Sequence, residues 1–162
     1  MYKLRNLSLV LLLIWAVSVD AEEIMPDMDK RRTKALIRKA EYYIKQHGRD
    51  AAIAEFNKKD GIFTKKNLYI FAVTFEGLEL ANPYKPEIIG TNVLEMKDAE
   101  GKPLIRNLIA KAKAGGGWIQ YRWKDPVTSQ VLCKKSYIAS IDNSYFIGSG
   151  SYGQKLCMQG LE

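Results

Sequence analysis

Histidine occurs once in the chain, as His47, and cysteine twice, as Cys133 and Cys157. That scarcity excludes several chemistries. No histidine neighbours a serine or cysteine, no carboxylates pair at a defined spacing, and no run of residues has the spacing of metal ligands. Nucleophilic, general acid–base and metal-assisted catalysis all need such partners within reach of one another. Nothing in the sequence calls for a cofactor, and the chain reads as a non-enzyme.

Long apolar runs are also scarce. Leu7 to Val17 is one, preceded by Lys3 and Arg5 and followed by Val19-Asp20-Ala21. This is the layout of a secretory signal peptide with cleavage after Ala21. The run falls well short of the ~20 apolar residues of a membrane-spanning helix. No second such run follows, so the expectation for residues 22–162 is one domain without a transmembrane segment, periplasmic or secreted. In such a compartment two cysteines suggest a single Cys133–Cys157 disulfide, with two reduced thiols as the alternative.

The formal net charge is +7. The basic excess lies in residues 27–66, without interleaved aromatics, in a chain expected to be exported. A solvated helix face therefore explains it better than nucleic-acid binding.

Leu36, Ile37, Ala40, Tyr43, Ile44 and His47 recur at helical spacing and predict an amphipathic helix over 29–47, stopped by Gly48. Asp50 suits the N-cap of a second, shorter helix carrying Ala52, Ile53 and Phe56. Residues 68–74, LYIFAVT, and 78–81, LELA, predict a hairpin ended by Asn82-Pro83. An irregular stretch from Tyr84 to Met96 should cover one sheet face. Pro103 suits a first helical position, and Leu104, Ile105, Leu108, Ile109 and Ala112 form a helix face that ends at Gly115-Gly116-Gly117. Strands are predicted at 118–123, 131–138 and 145–152. The connections between these three are too short for crossovers, so they are antiparallel. The fold class is α+β.

Two glycine patterns carry no phosphate chemistry. GSGSYG at 148–153 fits G-x-G-x-x-G, but no helix and distant acid follow it. Its glycines should instead allow close packing. GGG at 115–117 lacks the lysine-serine/threonine pair of a phosphate loop.

Alternation along the strands groups Ile119, Tyr121 and Trp123 on one face, with Trp118, Gln120 and Arg122 on the other. It likewise groups Cys133, Lys135 and Tyr137, and Tyr69, Phe71 and Val73. A lysine alternating with rings must snorkel to water or meet an anion. Tyrosine hydroxyls in the same wall need partners too. A small carboxylate would satisfy both.

The segments LYIFAVTFEGLELANPYKPEIIGTNV, DAEGKPLIRNLI, GGGWIQYRW, KKSYI and FIGSGSY occur in the order seen in single Cache domains of the second type. The chain resembles these PAS-like extracytoplasmic sensors from about Ala35 to Tyr152. The resemblance implies a long N-terminal helix on a central antiparallel sheet of about five strands, with the ligand between sheet and covering loop. It also implies a small carboxylate ligand, of the acetate, propionate, lactate or pyruvate type. The family's Y-x-W strand falls on Tyr121 and Trp123, its K-x-Y element on Lys135 and Tyr137, and its first-strand aromatics on Tyr69 and Phe71. Asn82 stands where many members have histidine.

The expected site is therefore Tyr69, Phe71, Asn82, Tyr121, Trp123, Lys135 and Tyr137, with Lys135 as the cation and Arg122 and Arg106 as fallbacks. Receptors of this family continue past GSGSY into a membrane helix, whereas this sequence ends at Glu162, and the expectation is a free-standing binding protein. The alternative is an interaction module with a vestigial pocket. Its basic helix, with Lys34, Arg38 and Lys45, would dock on a membrane receptor or transporter.

Overall fold

The computed structural model describes the backbone of residues 21–153 and the side chains of 29–153. The expected signal segment, apart from Ala21, therefore lies outside the described residues. So does Cys157, and with it the expected bridge to Cys133.

Helix α1 (Ala21–His47) turns at Gly48 into α2 (Arg49–Phe56). Gly48 takes a positive φ of 81°, and no side chain caps α2, so Asp50 sits in the first turn rather than at the cap. The strands are β1 (Thr64–Lys65), β2 (Leu68–Thr74), β3 (Glu79–Ala81), β4 (Gly117–Lys124), β5 (Val131–Ile141) and β6 (Tyr145–Gly153). The lid between β3 and β4 holds a short 3-10 turn, Pro86–Ile88, and α3 (Leu104–Lys113). Pro103 caps α3 one residue before the position expected for it. No helix among the described residues is long and apolar enough to cross a membrane.

The sheet has six strands in the order β1-β2-β6-β5-β4, all antiparallel, with β3 also paired to β2. The two-residue β1 is the strand that sequence reading omits, being too short to show periodicity. Strand alternation gives each face its own core. Ile70, Ala72, Tyr145 and Ile147 pack with Ile37, Ala40, Phe56 and Phe63 beneath α1 and α2. Tyr69, Phe71, Val73, Tyr121, Ile138 and Phe146 face the lid, against Val93, Leu104, Ile105 and Leu108. Fully burying one such Phe, Ile or Leu side chain contributes about 1.5–3 kcal/mol, so both layers hold the sheet.

The triple glycine ends α3 and starts β4. Gly115, Gly116 and Gly117 all have positive φ, at 96°, 83° and 114°. The amides of Gly115 and Gly116 donate back to Ala112 and Lys111 carbonyls. A Cβ on Gly116 would lie 2.4 Å from the Ile138 carbonyl oxygen. Helix and sheet can meet this closely only without side chains there.

Candidate functional site

A cavity of ≈ 30 Å³ lies between the sheet and the lid. Its floor is Tyr69 and Phe71 of β2, Tyr121 and Trp123 of β4 and Lys134 of β5. Glu79 of β3 and Asn82 form one side. Ile88, Met96, Leu104, Ile105 and Leu108 form an apolar roof. The volume exceeds what one water needs. The structure brings together five of the seven expected residues: Tyr69, Phe71, Asn82, Tyr121 and Trp123.

Lys135 and Tyr137 lie elsewhere, on the opposite face of the sheet. The β4–β5 ladder pairs Tyr121 with Lys134, Gln120 with Lys135 and Trp118 with Tyr137. Directly paired residues share a face, so Lys134 joins Tyr121 on the cavity floor while Lys135 points towards the α1 side. There its Nζ lies 5.7 Å from the centroid of Trp118, and burial, then proximity to Lys30, lowers its pKa. Tyr137 packs edge-on to Trp118, with Lys34 Nζ 5.1 Å above its ring. The expected grouping of Cys133, Lys135 and Tyr137 on one face is correct. The expectation that this face meets Tyr121 is not, because a one-residue difference in register exchanges faces. The fallback cations lie in ion pairs, Arg122 with Glu100 at 3.1 Å and Arg106 with Glu95.

Lys134 is 1% exposed. Its Nζ lies 4.0 Å from the centroid of Tyr69, 5.0 Å from Tyr152 and 5.2 Å from Phe71. Among the described residues no carboxylate lies within 4 Å of it and no group hydrogen-bonds to it. Cation–π contacts contribute up to about 2 kcal/mol each when desolvated, while burying an unpaired charge costs several kcal/mol. The rings hold the ammonium in place without neutralising it.

Close packing of glycines sets the floor. β6 places Gly148 opposite Phe71 of β2 and Ile138 of β5. A Cβ at Gly148 would come within 2.2 Å of Phe71 Cζ. Gly150 similarly makes room for Ser136 Oγ, which bonds the Tyr121 hydroxyl at 2.9 Å. Burial pushes the Tyr121 hydroxyl far above the usual tyrosine pKa, with Tyr69 adding to the shift. The Tyr69 and Tyr152 hydroxyls face each other at 3.4 Å, and burial raises the pKa of Tyr152 strongly as well.

Glu79 is the acidic member of the lining, and sequence reading missed it. β3 pairs Ala81 with Ala72 but Glu79 with Val73, and a bulge lies between the two pairs. In an unbroken ladder Leu80, not Glu79, would share the cavity face with Val73. The bulge re-aims the side chain. Glu79 is 3% exposed, and Asn82 Nδ2 donates to its Oε1 at 3.2 Å. Burial pushes its pKa up to about 7, opposed by the Asn82 bond and by the nearby charges of Lys85 and Lys134.

A long helix across one face of an antiparallel sheet, with a small polar cavity under a lid on the other, defines a ligand-sensing domain of PAS-like type. The chain matches the family Single Cache domain 2 over residues 15–157, and it belongs to that family. The sensor histidine kinase MctS of Rhizobium johnstonii is 38% identical over 88 residues, which are 54% of this chain and 19% of that protein. The chain thus spans about a fifth of the kinase's length.

Solved structures share the fold. A methyl-accepting chemotaxis protein from Vibrio parahaemolyticus has a TM-score of 0.70 at 22% identity, covering 80% of this chain and 92% of that one. A Cache chemosensory domain described for its recognition of carboxylic acids has a TM-score of 0.65 at 20% identity, covering 82% and 97%. The periplasmic sensor domain of a chemotaxis protein has a TM-score of 0.63 at 18% identity, covering 82% and 98%.

Proposed function

We propose that this is an extracytoplasmic sensor domain that binds a short-chain carboxylate, of the acetate, propionate, lactate or pyruvate type, and does not transform it. The observation that carries this reading is the Lys134 ammonium. It is buried among three rings, lines the polar cavity under the lid and has no ion-pair partner among the described residues. The ligand carboxylate would supply the missing negative charge. Tyr69, Phe71 and Trp123 would shape an apolar cup, while Asn82 and Tyr121 would offer hydrogen bonds. Recognition of carboxylic acids by a Cache domain of the same fold supports the choice of ligand class.

Magnitudes agree with a modest affinity. A lysine–carboxylate contact at ~4 Å and an effective dielectric near 20 contributes roughly 4 kcal/mol before desolvation is subtracted. A ligand of about six heavy atoms is limited to near −9 kcal/mol by the best efficiency per atom. That limit corresponds to a dissociation constant no tighter than about 0.3 μM.

The test is a thermal-shift and calorimetric screen of C2–C4 carboxylates against the protein and its Lys134→Met variant. The expected result is a ligand-dependent rise in melting temperature that Lys134→Met abolishes. An undiminished shift in the variant would remove the basis of the proposal. Presentation of the loaded domain to a membrane receptor is compatible with the exposed Lys34, Arg38 and Lys45 of α1. Charge reversal at these three, read by co-purification with membranes, tests that step.

A further inference from the structure

Lys134 accounts for the charge of the bound acid but leaves Glu79, a second buried ionisable group of the same cavity, without a role. Its placement is built. The bulge in β3 turns it inward, one oxygen is held by Asn82, and its other oxygen has no hydrogen-bond partner among the described residues. We infer that Glu79 is a second ligand-binding group, and that the cavity admits a monocarboxylate together with one proton, which resides on the Glu79 carboxyl. This inference rests on the carboxylate reading above and extends it.

The groups around Glu79 come from every packed element. β5 contributes Lys134, the segment after β3 contributes Asn82 and Lys85, β4 contributes Tyr121, and β2 contributes Tyr69. The rest of the lid contributes only apolar side chains to the lining. Lys85 lies at the rim, with its Nζ 4.3 Å from the centroid of Trp123.

With Glu79 ionised, Lys134 and Glu79 balance each other, and an entering carboxylate leaves one uncompensated negative charge. Two carboxylates sharing a small dry site disfavour each other's ionised form. With Glu79 protonated, Lys134 and the ligand balance, and the Glu79 O–H is a donor for a ligand oxygen. Burial already holds the carboxyl in a range where taking up a proton near neutral pH is easy. The proton comes from solvent or buffer, and no other bond changes. A dicarboxylate adds a charge that no further buried cation of the lining meets. An amine-bearing ligand would instead favour the ionised Glu79 and reverse the pH dependence.

Calorimetry with acetate, propionate, lactate and pyruvate, from pH 5.5 to 8.5, tests this. At pH 8 the measured heats should differ between buffers of different ionisation enthalpy, giving uptake of close to one proton per ligand. The dissociation constant should be flat below pH ~6 and rise about tenfold per pH unit above pH ~7 until Glu79 of the complex itself ionises. Glu79→Gln, whose melting curve checks its fold, should bind with a flat pH profile and no proton uptake.

Binding at pH 8 with no buffer-dependent heat in the wild type, which needs no variant, would overturn the inference and leave the carboxylate reading standing. Uptake that persists in Glu79→Gln, or tighter binding of glycine or alanine than of the four acids, would also overturn it. Failure of all four acids to bind at any pH would instead overturn the carboxylate reading itself.

Discussion

The Nζ of Lys134 lies 4.0 Å from the centroid of the Tyr69 ring, on adjoining parts of the cavity floor. Tyr69 also faces Tyr152 through its hydroxyl and Tyr84 through its ring, whose centroid is 5.1 Å away. The ammonium is thus fixed by rings that are themselves fixed by packing. Held this way, it needs little reordering when an anion arrives.

Adjacent lysines should therefore behave oppositely. Lys134→Met is expected to weaken carboxylate binding by about 100-fold, the loss of a charge-assisted contact of roughly 3 kcal/mol. Lys135→Ala and Tyr137→Phe, on the α1 side, should leave affinity within about twofold. Titration calorimetry of the three variants decides between the two faces of β5.

Glu79 makes stability fall with rising pH, the reverse of an ordinary paired carboxylate. In the folded protein it keeps its proton up to about pH 7, while in the unfolded chain it loses it near the ordinary 4.5. Between those values the folded state binds more protons, so stability declines as pH rises from 4.5 through 7 and stays at its lower level above. Glu79→Gln removes that contribution. Urea denaturation should find the variant more stable than wild type at pH 8, by at most about 3 kcal/mol, with the gap closing towards pH 5.

Gly148 is the position least able to take a side chain on the cavity floor. Gly148→Ala forces the Phe71 ring to move from a Cβ that would otherwise lie 2.2 Å from its Cζ. The expected cost is about 1–3 kcal/mol of overpacking. Displacing that ring should also reduce carboxylate affinity. Unfolding curves and calorimetry on one preparation read both effects.

The Cys133–Cys157 bridge remains a proposal. Cys133 is buried on the α1 side of β5 and pairs with Gly153, the last residue of β6. Intact mass after alkylation without reductant should show no modified cysteine. Cys157→Ser should lower stability by about 2–5 kcal/mol. Two alkylated cysteines in the untreated protein would rule the bridge out.

Much of the cavity was legible because its composition is local. Tyr69 and Phe71 alternate within one strand, Tyr121 and Trp123 within another, and Asn82-Pro83 ends a third. The glycines of GSGSYG were legible as sites of close packing, and the floor at Gly148 shows why. The two ionisable groups were hidden for separate reasons. Whether Lys134 or Lys135 meets Tyr121 depends on the register of β4 against β5. That register is set by the turn in which the Asp125 side chain accepts from the Val127 amide and the Asp125 amide donates to the Gln130 carbonyl. Alternation alone specifies which residues share a face, not which face meets a neighbour. Glu79 was hidden because a bulge breaks the period that places it, and no residue type announces a bulge.

The sheet is a partition one peptide thick. On β6, Gly148 supports the Phe71 ring under the cavity, while its neighbours Ile147 and Ser149 face the outer helices. Ser149 is fully buried there. A molecule that lifts or presses the floor by even a fraction of an ångström therefore acts on the seat of α1 through a single backbone, with no intervening layer to absorb the displacement.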